Sequence, residues 1–300
     1  MKILLSAYAC EPGKGSEPEV GWQWATGLAL RGHQVWVITR ANNRARIEDS
    51  TLPKAVQPPR FVYYDLPPLL LWLKRWVGIN VYYRWWQVGA ARVAARLHAE
   101  VGFDRAQHAT FVVLRHPSFL RKLDVPFIFG PCAGGEQVPA ALLVGTPWRF
   151  RVQERTRSAV NRLSTWSPAF RATLRAAERV YVTSQQSAAL VPQTYQGRTQ
   201  TRLAISVPFA DAAVARHGRR HPGRTLKCLF VGQLIYLKGI HLLLEALQVA
   251  KGEGFRFDLT VVGSGAQGEW LQARATELGV DDQGTWQGQV RRYRLREIYA

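Results

Sequence analysis

The chain has 300 residues, 47% of them hydrophobic, enough for a real core and about two domains of ordinary size. Lys and Arg number 40 against 21 Asp and Glu, and the net charge of +19 implies an anionic partner or surface: nucleic acid, anionic lipid or a phosphorylated substrate. Three cysteines, Cys10, Cys132 and Cys228, stand too far apart for a disulfide framework or a metal spacing and suit a reducing compartment, and no apolar run of about 18 residues suggests a transmembrane helix.

Residues 2–8 read as a first buried strand. The alternative, a lipoprotein-type signal ending at Cys10, fails on its short apolar part and single Lys. Gly13, Gly15 and Gly21 fall in a loop, residues 20–31 read as a helix, and residues 34–39 and 60–64 as two further strands. Such alternation predicts a parallel sheet with helices on both faces.

Residues 69–97 differ in character. Leu69, Trp72, Leu73, Trp76 and Val77 recur at helical spacing, and Tyr82, Trp85, Trp86, Gly89, Val93 and Leu97 continue in a second run, with Lys74, Arg75, Arg84, Arg92 and Arg96 interleaved. Two readings stand: an interfacial segment with aromatics at headgroup depth and cations toward anionic lipid, or a core-facing helix pair with a basic outer face. Nucleic acid is not expected, because the Trp residues cluster in one helical stretch and not on a base-stacking surface.

A strand at 103–107, a helix near Ser118 and a strand at 126–129 follow, the last ending in Gly130-Pro-Cys-Ala-Gly-Gly-Glu136. Residues 149–179 read as helical and strongly basic, 180–183 as a strand and 184–190 as a helix. The run 216–224 has a linker's composition. The expected domains are 1–210 and 226–300, joined by a linker at 211–225. In the second, a strand at 228–231 leads to a loop with Gln233 and Lys238. A helix then starts near Gly239 and carries Ile240, Leu243, Leu244 and Leu247 on one face. A strand at 257–262, a helix, a strand at 285–287 and a last helix complete the pattern.

Lys238 therefore stands at a helix N-terminus, where free N–H groups and the helix dipole favour an anion. At about 4 Å and a surface-like dielectric each charge pair there is worth roughly 4 kcal/mol before desolvation. A solvated loop lysine is the other reading. Gly263-Ser-Gly-Ala-Gln-Gly268 spells a dinucleotide fingerprint, but on the second strand of its domain, with Asp281 and Asp282 before the next strand instead of at its end. NAD is therefore not expected. His108 follows a strand and Glu136 closes a Gly-rich turn. Each is a candidate for catalysis, or else a core histidine and a helix cap.

The wording of Phe230-Val-Gly-Gln-Leu-Ile-Tyr-Leu-Lys-Gly-Ile-His-Leu-Leu-Leu resembles the donor-site loop of the family 4 (group 1) retaining glycosyltransferases of the GT-B fold. There, a Gly-Arg-Leu opening leads to Lys-Gly and a Leu-rich helix. Gly27-Leu-Ala-Leu-Arg-Gly-His-Gln-Val-Trp-Val-Ile-Thr39 is similar to that family's first helix-to-strand turn, and Glu277-Leu-Gly-Val280 to a later one. The resemblance implies an α/β chain of two Rossmann-like doubly wound domains facing a cleft. Its implied activity is transfer of a hexosyl-type sugar, with retention and without metal or cofactor, from a UDP- or GDP-linked nucleotide-sugar to a lipid-linked or polysaccharide acceptor.

The implied donor-binding residues are Gly13, Gly15, Gln233, Lys238, Gly263, Gly265 and Gly288, and the catalytic candidates are His108, where the resemblance suggests a histidine near the donor sugar, and Glu136, the best-placed acid of the first half. Gln233 stands where the family has Arg and brings no charge. The family's paired glutamates, expected beyond the last residues here, imply a second domain that is incomplete. The alternative is an impaired relative acting as a membrane-surface and nucleotide-binding protein. A cytoplasmic place, peripheral at the inner face of the membrane, is expected.

Overall fold

The computed structural model describes residues 1–52, 57–111, 113–204, 225–290 and 292–299. The chain divides into two compact units: Met1–Gln137 with Gln153–Ser206, and Val138–Val152 with 207–300. The expected linker, 211–225, lies outside the described residues except for its last position.

The first unit is built on seven parallel strands: β1 (Lys2–Ser6), β2 (Gln34–Thr39), β3 (Arg60–Tyr63), β4 (Arg105–His108), β5 (Phe127–Cys132), β6 (Ala177–Val182) and β7 (Thr199–Thr201), in the order β3-β2-β1-β4-β5-β6-β7. Both faces are covered, which is why the central β1 and β2 read as nearly unbroken apolar runs. Leu5, Val35 and Val37 point to one core, closed by Trp22, Ala25 and Ala29 of α1 (Ser16–Leu30) and Ile47 of α2 (Arg44–Glu48). Leu4, Trp36 and Ile38, one register position away, point to the other. That core is closed by Tyr82, Tyr83, Trp86, Ala90 and Ala94 of α3 (Pro68–Val101) and by Phe170 and Leu174 of α5 (Pro168–Ala176).

The expected helix at 20–31 begins four residues earlier, at Ser16. Pro18 is tolerated there because first-turn N–H groups have no intrahelical partner, and Glu17 and Glu19 suit the dipole. Residues 149–179 form two helices, α4 (Trp148–Ser164) and α5, broken before Pro168, and their last three residues belong to β6. The helix expected at 184–190 is the short α6 (Gln185–Ala188), whose Ser184 hydroxyl accepts from Ser187 N–H at 3.0 Å. Near Ser118 the chain makes a 3₁₀ turn, Phe119–Lys122.

The second unit carries a parallel sheet of order β10-β9-β8, from β8 (Leu226–Val231), β9 (Phe257–Val262) and β10 (Gly284–Gly288). Ile240, Leu244 and Leu247 of α7 (Ile240–Gly252) and Leu271 and Ala275 of α8 (Gly268–Glu277) close its core, and α9 (Arg292–Tyr299) follows. Among the described residues β8 is an edge strand, and its Leu226 and Leu229 are 52% and 38% exposed.

Candidate functional site

In parallel α/β sheets ligands bind beyond the carboxyl ends of the strands. In the second unit those ends are tied together by backbone bonds. Gly232 N–H donates to Val262 O (2.9 Å), Leu234 N–H to Ser264 O (3.1 Å) and Gly263 N–H to Gly288 O (2.8 Å). A methyl on Gly263 would overlap the Gly232 carbonyl, and one on Gly265 the Leu234 carbonyl. These two glycines therefore serve loop-on-loop packing first. The arrangement gathers Gln233, Gly263, Gly265 and Gly288 along one rim.

Lys238 closes the 3₁₀ turn Tyr236–Lys238 on the same rim. Gly239 follows in the left-handed region (φ 71°) and caps α7 without a side-chain bond; its carbonyl takes the Leu242 and Leu243 N–H groups, and those of Ile240 and His241 have no partner among the described residues. Lys238 is exposed, and its ammonium has no hydrogen bond or ion pair among the described residues. Gln233 is exposed too, so the rim holds one cation where the resemblance implied two. Sequence reasoning missed Gln267, whose side-chain oxygen accepts from Tyr236 N–H (3.1 Å) and fixes the turn before Lys238. Its only sequence signal is its place inside the Gly-rich turn. Tyr236 packs edge-on to His241 (5.8 Å between centroids) and near Trp270 (5.3 Å) and Phe150 (4.9 Å).

In the first unit the switch point of the sheet lies between β1 and β4. Ala9 N–H donates to Thr110 Oγ1 across it (3.1 Å), and α1 approaches so closely that a methyl on Gly21 would overlap the Ala9 carbonyl. Gly13 and Gly15 shape the loop above it, with φ of 69° and 73°, and no neighbour would meet a side chain at either. Buried Glu11 anchors this loop by pairing with Lys14 and with Arg46 (3.3 Å).

His108 ends β4 and is 1% exposed. Its ring lies 3.3 Å (Nε2) from the Tyr83 hydroxyl and 3.5 Å (Nδ1) from the Gln87 amide, and edge-on to Phe129. Burial lowers its pKa to about 4, so it is neutral at physiological pH. Tyr83 in turn stacks on Phe111, with centroids 3.7 Å apart.

Glu136 caps no helix of its own. Its carboxylate accepts from the hydroxyls of Ser184 (2.6 Å), Ser187 (2.7 Å) and Thr183 (3.2 Å) and from Gly134 N–H (2.7 Å). Burial alone would raise its pKa, but the hydrogen bonds from Ser184, Ser187 and Gly134 outweigh it and hold the group at about 2. Arg157 donates to the Glu136 carbonyl (2.9 Å) and pairs with Glu154. The site candidates thus fall into two groups. Gln233, Lys238, Gly263, Gly265 and Gly288 lie together in the second unit, and Gly13, Gly15, His108 and Glu136 belong to the first.

The segment 69–97 divides at Gly78, whose φ and ψ (78°, 166°) break the helix. After the break Tyr82, Tyr83, Trp86 and Ala90 are core. Before it, Leu69, Trp72 and Trp76 are 69%, 51% and 71% exposed, the two indoles 6.4 Å apart. Among the described residues no helix is long and apolar enough to cross a membrane. Nor do three His, Cys, Asp or Glu side chains among them gather as a metal site would require.

Residues 214–300 match the family model described as glycosyl transferases group 1. A comparison with curated proteins by sequence gave no match. The structure is similar to the apo form of the lipopolysaccharide outer core galactosyltransferase WaaB (TM-score 0.54, 11% identity, covering 100% of this chain and 72% of that one). It is also similar to WaaG, a glycosyltransferase involved in lipopolysaccharide biosynthesis (0.50, 17%, 99% and 72%). A third similar structure is sucrose-phosphate synthase from Thermosynechococcus elongatus (0.57, 18%, 99% and 73%). These likenesses carry the fold, which is GT-B with a smaller second unit.

Proposed function

We propose, from a chain of GT-B fold whose residues 214–300 belong to the group 1 glycosyl transferases, that this protein moves a hexosyl-type sugar from a nucleotide-sugar to an acceptor. The donor is UDP- or GDP-linked and the acceptor lipid-linked or a polysaccharide. The observation that carries this reading is Lys238: an ammonium unpaired among the described residues, beside the N-terminus of α7, which no side chain caps, on the rim made by Gly263, Gly265 and Gly288. A diphosphate bound there gains charge as its bond to the sugar breaks. A cation and backbone N–H groups already in position stabilise that charge without reorganising. Retention, and independence of metal, follow the resemblance.

In this reading His108 and Glu136 are positioning residues. Neutral His108 holds Tyr83 and Gln87 behind the end of β4, and Glu136 pins the turn Gly134–Glu136 to the start of α6. The exposed Leu69, Trp72 and Trp76 with Arg75 support work at an anionic membrane surface, peripheral and on the cytoplasmic side. Nucleic acid is not the partner.

A second reading, an impaired relative that binds nucleotide and surface without turnover, is favoured by Gln233. It replaces a charge-assisted bond worth about 1.5–3 kcal/mol by a neutral one worth about 0.5–1.5 kcal/mol. Calorimetric titration with UDP and GDP of the wild type, Lys238→Ala and Gln233→Arg tests the donor site. Sugar transfer by the wild type separates the two readings.

A further inference from the structure

A cluster of charged and aromatic side chains in the first unit takes no part in the donor site. Tyr8, Arg40 and Asp65 follow the carboxyl ends of β1, β2 and β3, and Lys74 and Tyr82 flank the Gly78 break of α3. Arg40 donates through Nε to Asp65 Oδ1 (3.0 Å) and through Nη2 to Oδ2 (3.4 Å), and the Tyr82 hydroxyl donates to the same carboxylate (2.7 Å). The guanidinium carbon lies 5.3 Å from the Tyr8 ring centre and 5.5 Å from that of Tyr82. Lys74 Nζ lies 5.1 Å from the Tyr82 ring centre.

The charges in this cluster do not balance. Arg40 and Asp65 neutralise each other, and their side chains are only 13% and 12% exposed. Lys74 then has no carboxylate within ion-pair distance among the described residues. Burial lowers the pKa of Lys74, and the Arg40 charge lowers it further, against the pull of Asp65. Glu17, in the first turn of α1, is the other carboxylate whose field reaches Tyr8. The Arg40–Asp65 pair uses two of the five guanidinium N–H groups, so donors remain on Arg40. The Tyr8 hydroxyl is buried, in a residue 7% exposed, and no well-formed hydrogen bond reaches it among the described residues, although the Arg40 guanidinium lies close enough to favour its ionised form. Burial raises its pKa to about 12 against the lowering pull of Arg40, so the hydroxyl keeps its proton. An unpartnered buried hydroxyl is costly unless something binds to it.

We propose that Arg40, Lys74 and the Tyr8 hydroxyl form a binding site for the phosphate ester of the acceptor. A tetrahedral oxyanion takes hydrogen bonds from a guanidinium, an ammonium and a hydroxyl at once, and its charge answers the uncompensated cation. The site lies where the parallel sheet presents ligands. The helix that supplies Lys74 also exposes Trp72 and Trp76, apolar cover for the chain of a phospholipid-like acceptor. That the ligand is an acceptor rests on the transferase reading. That it carries phosphate does not.

The test uses the full chain with UDP in excess to occupy any donor site. Inorganic phosphate is titrated calorimetrically, and sedimentation is measured with phosphatidylcholine vesicles, plain, with phosphatidylserine, or with phosphatidic acid. Lys74→Gln is expected to weaken phosphate binding about fivefold, while Arg31→Gln, an exposed residue just past α1 and outside the cluster, leaves it unchanged. Tyr8→Phe removes only an unbonded hydroxyl. It should melt no lower than the wild type yet bind phosphate more weakly, a combination that a structural role would not give.

Preference for phosphatidic acid over phosphatidylserine, lost in Lys74→Gln, identifies a lipid headgroup. Phosphate binding without that preference identifies a soluble ester. Equal phosphate binding in the wild type, Lys74→Gln and Tyr8→Phe, or equal losses in Lys74→Gln and Arg31→Gln, overturns the proposal. Lys238→Ala, which tests the donor reading, is expected to leave phosphate binding by this cluster intact. The two proposals therefore fail separately.

Discussion

The Ser184 hydroxyl donates to the Glu136 carboxylate at 2.6 Å across 48 positions of sequence. The contact joins the turn after β5 to the start of α6, and it is strongest while Glu136 is ionised. Because the folded pKa of about 2 lies below the ordinary 4.5, the unfolded chain binds the extra proton first as pH falls. The stabilisation is complete above about 4.5 and disappears toward 2. Glu136→Gln should lower the melting temperature at neutral pH and flatten the acid loss in that window. Thermal melts of both proteins from pH 7 to pH 2 check this, and parallel curves would show that Glu136 holds nothing.

Two buried histidines act in the same direction at higher pH. Burial lowers His108 to about 4 and, with help from the nearby Arg115 charge, His116 to about 3, against an ordinary 6.5. Folding keeps both neutral, so the unfolded state takes up protons first and stability declines as pH falls below about 6.5. Chemical denaturation of the wild type and His108→Gln across pH 7.5 to 4.5 should show a shallower slope in the variant. An unchanged slope would remove His108 from this account.

The glycines of the second unit make a packing prediction independent of any ligand. Gly263→Ala places a methyl against the Gly232 carbonyl at a φ of 143° and should destabilise the unit by about 2 kcal/mol or more. Gly288→Ala has open space around it and only an unfavourable φ of 65°, so its cost should be about 1 kcal/mol. Urea unfolding of the two variants distinguishes them, and equal costs would contradict the loop-on-loop arrangement.

The surface proposal turns on Trp72 and Trp76. Replacing both with Ala should reduce sedimentation with anionic vesicles, and raising the salt should release the wild type, because exposed charges are screened beyond about 8 Å at physiological ionic strength. Equal, poor binding to neutral and anionic vesicles would make this stretch an ordinary exposed helix.

Much of this architecture was legible in the residues themselves. β2 and β9 occupy the predicted 34–39 and 257–262, because unbroken apolar runs between turn residues leave little else for a buried strand to be. β7 was not legible. Thr199, Gln200 and Thr201 carry no apolar signal, and the strand forms by pairing with β6. The helix break at Gly78 was visible as two runs, but which run is core depends on the neighbouring sheet. On the rim of the second unit Lys238 and the Gly turns were readable from local wording. The Arg40–Asp65–Tyr82 cluster was not, since its members stand 25 and 17 positions apart and meet only because β3 pairs beside β2. Glu136 was visible as an acid after glycines, but its serine partners, about 50 residues on, were not.

Lys238 is the group on which the functional account depends. Calorimetric titration of the full chain with UDP and with GDP measures it most directly. The account predicts weak but saturable binding of at least one nucleotide, reduced at least several-fold, on the order of 1 kcal/mol or more, by Lys238→Ala, and strengthened by Gln233→Arg, which restores a second cation on the rim. Equal affinity in the wild type and Lys238→Ala would contradict it.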